Sequence, residues 1–155
     1  MLALFLVPQA VDAAKREPIT DKIVFVPHDS RPISSKQTAD VVQRVGYEIV
    51  VPPTELLGNR EDWGHPDELW TWLEESLARP GVKAAVISSD AVIYGSLVGS
   101  RKHSFTRAQV LERAARFDAL QKSYPKMPLY VFGSIMRTPR SGEASGHEEP
   151  EYYRR

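Results

Sequence analysis

"KIVFVPHDSRPIS", residues 22–34, decides how the rest of the chain is read. Ile23 to Val26 is a short continuous apolar run, the pattern of a strand buried on both faces. The run stops at Pro27, and His28, Asp29, Ser30 and Arg31 follow without a gap. A strand buried on both faces belongs to a parallel sheet covered by helices. In such sheets ligands meet the loops at the carboxyl ends of the strands. Four polar, chemically versatile side chains at that position mark a candidate site.

The same beat repeats downstream. Ser34 to Val45 carries Thr38, Val41, Val42 and Val45 at helical spacing; Ser34 and Gln37 form a capping-box pattern, and Gly46 stands where a helix-ending glycine belongs. Tyr47 to Val51 reads as a second strand, closed by Pro52-Pro53. Pro66 opens a helix with Asp67 and Glu68 in its first turn and Leu69, Trp70, Leu73 and Leu77 as its buried stripe. Val82 to Ser88 is a third strand. Thr106 and Gln109 form another capping box, before a helix with Val110, Ala114, Phe117 and Leu120 on one face and Pro125 at its end. Leu129 to Phe132 is a fourth strand. Strands that alternate with helices pair in parallel through right-handed crossovers. The fold class is α/β. Either an open doubly wound sheet, flavodoxin- or Rossmann-like, or the first half of a TIM-like barrel satisfies the pattern.

Composition narrows the function. The chain of 155 residues suits one domain, and its 20 acidic and 20 basic residues cancel. That balance gives no electrostatic footprint for nucleic acid or an anionic membrane. Absence of cysteine excludes disulfides, thiolate catalysis and cysteine-ligated zinc. No HExxH spacing and no glycine-rich phosphate loop occurs, so the sequence names neither a metal nor a cofactor.

The ends differ from the middle. Residues 1–21 begin with an apolar run, Leu2 to Val7, followed by small residues at Ala10, Ala13 and Ala14 and then Lys15 and Arg16. This is the order of a secretory signal peptide, although its basic opening is missing, and it sets the expectation of an extracytoplasmic or secreted protein. The run is too short to span a bilayer. Residues 22–140 form the α/β domain; residues 141–155 are a polar loop and the start of a helix, with acids first and Pro150 near its beginning. The expectation is the N-terminal part of a longer protein.

Parallel strands deliver all four strand-end loops to one edge. The first holds His28, Asp29, Ser30 and Arg31; the second Pro52, Pro53, Glu55, Asn59 and Arg60; the third Ser89, Asp90, Tyr94, Ser100 and Arg101; the fourth Ser134, Arg137, Thr138 and Arg140. In a flavodoxin-like order strands one and three are neighbours, so Asp29 and Asp90 flank the crevice. Two carboxylates there can divide acid and base roles or hold a divalent cation; capping a loop or a helix start is the competing role. Arg31, Arg101 and Arg137 have the forked donors that suit carboxylate, phosphate or sulfate, or else they pair with the nearby acids. His28 is a possible base, and Tyr94 can position a ligand or simply pack. Trp63 lies in a loop and can stack on a sugar. The run His28-Asp29-Ser30 is similar to the nucleophile turn of GDSL-type esterases, but the glycine and the later Gly-x-Asn-Asp segment are missing.

Taken in order, "VFVPHDSRPIS", "GYEIVVPPTELLGN", "DELWTWLEE", "SSDAVIYGSLVGSR", "SIMRTPRSG" and "EEPEYY" resemble the N-terminal region of the bacterial family known as domain of unknown function 4127. The resemblance runs from about Lys22 to Tyr153 and implies a longer parent protein. The family's motifs fall on Asp29, Arg31, Pro32, Asp90, Tyr94, Gly95, Arg101, Arg137, Thr138 and Pro139, while His28 departs from it by replacing a smaller apolar residue. The resemblance supplies no activity. The residues themselves set the expectation: a hydrolase for a polar, carbohydrate-like substrate, with Asp29 and Asp90 as acid and base, and Arg31, Tyr94, Arg101 and Arg137 binding the substrate. The alternative is a module that binds a small sugar or anion without chemistry.

Overall fold

The structure, a computed structural model, describes residues 21–135. The N-terminal segment, Arg137, Thr138, Pro139, Arg140 and residues 141–155 lie outside the described residues.

Four strands, β1 (Lys22–Val26), β2 (Glu48–Val50), β3 (Val82–Ser88) and β4 (Leu129–Phe132), form one parallel sheet in the order β2-β1-β3-β4. Five helices join them: α1 (Lys36–Gln43), α2 (Pro66–Leu77), α3 (Ser89–Tyr94), α4 (Gly99–Lys102) and α5 (Arg107–Ser123). A 3-10 turn, Thr54–Leu56, follows β2. The order selects the doubly wound alternative. In a barrel β2 would pair with β3, whereas here β1 lies between them. The direction of winding reverses after β2, and the loops after β1 and β3 therefore meet at the switch point.

Period-2 alternation in β1 feeds two cores. Val24 and Val26 face the larger one, with Leu69, Trp70, Leu73 and Leu77 of α2, Ala85 and Ile87 of β3 and Leu120 of α5. Ile23 and Phe25 face the smaller one, with Ala39 and Val42 of α1, Ile49 and Val86. α1 therefore covers one face of the sheet, and α2 and α5 the other, as right-handed crossovers in this order require. Burying side chains such as Leu69, Leu73 and Ile87 stabilises the fold by about 1.5–3 kcal/mol each.

Local signals explain the helix starts, with one exception. Thr106 Oγ1 accepts from Gln109 N and the Gln109 side chain accepts from Thr106 N, so the expected capping box forms. At α1 it does not. The Ser34 and Ser35 amides donate to Arg31 O, and the Gln37 amide donates to Pro32 O at 2.8 Å. The amide that a Ser34 hydroxyl would cap already has a backbone partner, and the helix begins at Lys36. Gly46 ends the α1 segment with φ of 100°, the left-handed conformation that favours glycine.

Arg113 clamps the helices beneath the loops. Although only 6% exposed, it donates from Nε and Nη2 to the Asp67 carboxylate at 3.1 and 2.8 Å, and from Nη1 to Ile93 O at 2.9 Å. Its guanidinium also lies 4.2 Å from the centre of the Phe105 ring. One side chain thus joins α5 to the start of α2 and the end of α3. The hydrogen bond from Arg113 is the main cause that holds the Asp67 carboxyl below its ordinary value. A depressed folded-state value means that the contribution is present above the ordinary carboxylate range and lost as pH falls through the folded value. We expect the melting temperature of the wild type to fall more steeply below about pH 4 than that of Asp67→Asn. Parallel acid profiles of the two proteins would contradict this role.

Candidate functional site

Main-chain hydrogen bonds close three strand-end loops into a ring. Ser30 N donates to Gly58 O at 2.9 Å, Gly58 N donates to Gly95 O at 3.1 Å, and Leu97 N donates to His28 O at 3.1 Å. The loops after β1, β2 and β3 each bond to the other two. Glycine makes this approach possible. A Cβ on Gly58 would lie 2.6 Å from Gly64 N, and one on Gly64 would collide with the backbone of Gly58, Gly95 and Leu56.

The two candidate carboxylates have different surroundings. Asp29 is 0% exposed. Its Oδ1 accepts from Arg31 N at 3.1 Å, and its Oδ2 accepts from Arg31 Nε at 2.9 Å and Nη2 at 2.7 Å. Both oxygens are engaged two residues away, which fixes the direction of the Arg31 fork.

Asp90 lies in the first turn of α3 and is 6% exposed. Its Oδ2 accepts from Ser134 N at 2.9 Å and Ser134 Oγ at 2.6 Å, and lies 3.0 Å from His28 Nδ1. Ser134 follows β4, so this carboxylate joins the loops after β1, β3 and β4. Ser88 Oγ also lies 3.0 Å from His28 Nδ1, and Phe132 meets the imidazole edge-on at 4.8 Å between centres. A proton on Nδ1 satisfies the carboxylate and leaves Nε2 as an acceptor. Among the described residues, the hydrogen-bond partner of the ring is Ser88 Oγ, on Nδ1, and the Asp90 carboxylate lies at ion-pair distance from the same nitrogen.

A cavity of about 180 Å³ is lined by Arg31, Arg60, Leu97, Val98 and Arg101, from the loops after β1, β2 and β3. Two of the three expected arginines therefore meet, and Arg60, which the sequence placed in the second loop without a role, joins them. Tyr94 is placed elsewhere: its ring packs 4.7 Å from that of His103, which stacks on Phe105 at 5.9 Å. Trp63 is 43% exposed and meets the edge of Phe105 at 6.5 Å. Among the described residues, no group of three or more His, Asp or Glu side chains is placed to hold a metal, and no helix is long and apolar enough to cross a membrane.

The family model described as Protein of unknown function (DUF4127) matches residues 23–155, and the chain belongs to that family. No curated protein and no solved structure matches the chain.

The glycine contact generates a prediction. Gly64→Ala forces three backbone segments apart, and overpacking of this kind costs about 1–3 kcal/mol. The melting temperature should fall by several degrees, and amide exchange at Ser30, Gly58 and Leu97 should quicken. An unchanged melt with unchanged exchange at those amides would show that the loops are not held through this contact.

Proposed function

We propose that this member of the DUF4127 family is a hydrolase for a small, polar, carbohydrate-like substrate held across the strand-end loops. The observation that carries the reading is the 3.0 Å contact between His28 Nδ1 and the buried Asp90 carboxylate. A carboxylate that accepts from Nδ1 holds the ring in one tautomer and orientation, and supports the charge that forms when Nε2 takes a proton. In this scheme Nε2 removes a proton from water as the water oxygen bonds to an ester carbonyl carbon. The carbon–oxygen bond to the leaving group then breaks, and the proton passes to the departing oxygen.

Asp90 acts through His28 as a positioning residue. Ser134 limits its movement through two hydrogen bonds. Asp29, with both oxygens donated to by Arg31, serves substrate binding by aiming that guanidinium rather than by moving a proton. Arg31, Arg60 and Arg101 bind polar groups of the substrate. An exported protein, the expectation from residues 1–21, would meet such substrates outside the cytoplasm.

The commitment of Asp29 to Arg31 favours a second reading, a binding module for a sugar or anion with no chemistry. A panel of chromogenic esters and glycosides separates the two. The hydrolase reading expects product, with turnover reduced by roughly a hundredfold or more in His28→Gln, the usual scale for a lost base. Asp90→Asn should lower kcat more than it changes KM. Ligand-induced thermal shifts without product, or turnover unaffected by His28→Gln, would favour the binding module or another base.

A further inference from the structure

We propose that Trp63 is a stacking platform for a pyranose ring, so that the ligand site extends from the strand ends onto the loop after β2 and takes a saccharide. This rests on the reading of the strand-end loops as the site of a carbohydrate-like ligand, and names the residue that recognises the sugar ring. Trp70 and Trp72 are 0% and 9% exposed and belong to the larger core, whereas Trp63 is 43% exposed. The segment that carries it is closed at its base, where a Cβ on Gly58 or on Gly64 would strike the main-chain nitrogen of the other glycine. Inside that closure Asn59 N donates to Asp62 O at 2.9 Å, and Asn59 Oδ1 accepts from Glu61 N and Asp62 N at 2.7 and 2.8 Å. The indole meets Phe105 edge-to-face at 6.5 Å. Phe105 is itself fixed, with the Arg113 guanidinium 4.2 Å from its centre and His103 stacked at 5.9 Å. Trp63 is therefore an anchored ring that remains open to solvent.

Shape and polarity select the ligand class. A pyranose ring is flat, has a face of axial C–H bonds and carries its hydroxyls around the rim. The C–H face suits the negative face of an aromatic ring. Glu61 and Asp62, exposed and next to Trp63 in sequence, supply acceptors for hydroxyl donors at that rim. A quaternary ammonium ion is held by a cage of aromatic faces. Here Tyr94, His103 and Phe105 pack on one another and leave Trp63 as the exposed member of the cluster. A tryptophan has few side-chain torsions to order, and its loop is already tied, so binding costs little entropy. The platform also shares its base with the candidate site: Gly58 O accepts from Ser30 N, two residues after His28.

The probes are cellobiose, maltose and chitobiose, titrated into the full chain. Sorbitol is the open-chain control, and tetramethylammonium chloride is the cation arm. Because Trp70 and Trp72 are buried, acrylamide quenching of tryptophan fluorescence reports on Trp63. At least one disaccharide should shift the emission to the blue and protect it from acrylamide, with saturation. Calorimetry with Trp63→Ala should show affinity reduced by about tenfold or more, the scale of a ring stacked on an aromatic side chain. Trp63→Phe should retain part of the affinity. Both variants should melt close to the wild type, since the ring is exposed.

No saturable response to any of the three disaccharides would overturn the proposal. So would equal affinity in the wild type and Trp63→Ala, or tighter binding of tetramethylammonium than of every disaccharide. The hydrolase reading fails separately: His28→Gln should keep the wild-type disaccharide affinity while losing turnover. Disaccharide binding that depends on Trp63, with no hydrolysis of any ester or glycoside, supports the platform and removes only the chemistry.

Discussion

The site depends on a close approach of backbone to backbone. Gly58, Gly64 and Gly95 bring the second and third strand-end loops together at distances that exclude side chains. Ser30, Gly58 and Leu97 then complete the loop-to-loop hydrogen bonds. Parallel strands guarantee only that their loops emerge on the same edge. They do not guarantee that the loops touch. The glycines supply that second condition, and the cavity lined by Arg31, Arg60 and Arg101 is its consequence.

Within this frame two similar residues are given different work. Asp29 and Asp90 each follow a strand of the central pair, and both are nearly or fully buried. Burial of a carboxylate requires partners, since an unpaired charge in the interior is costly. Asp29 finds its partner on its own loop and fixes Arg31. Asp90 finds partners on two other loops, Ser134 after β4 and His28 after β1. Local pairing orients a single side chain, whereas the bonds across loops bring the fourth strand into the same assembly. Arg113 does the equivalent below the loops, where it fixes α5 to α2 and α3.

Much of this was legible in the sequence because it depends on local rules. Apolar runs and helix periodicity located all four strands and the three long helices, and Pro66 and Thr106 marked two helix starts. The neighbourhood of the Asp29 and Asp90 loops followed once the order β2-β1-β3-β4 was one of the candidates. α3 and α4 were read as loop, because six and four residues are too few to display a helical period. The Ser34 capping pattern was not used, because the Arg31 and Pro32 carbonyls took the available amides. Nothing in the sequence distinguished Asp29 from Asp90. The difference lies in which loops are in contact, and a residue such as Gly64 states its close contacts only when the fold is known. The same holds for Arg60, which reaches the cavity from an exposed stretch with no motif.

The central claim is that the loops after β1, β2 and β3 are tied to one another at the strand ends. The most direct measurement is amide hydrogen exchange on the full chain, read residue by residue. The account predicts that the amides of Ser30, Gly58 and Leu97 are protected and open together, with a common protection factor. Exchange of these amides at the unprotected rate, or three unrelated protection factors, would contradict it.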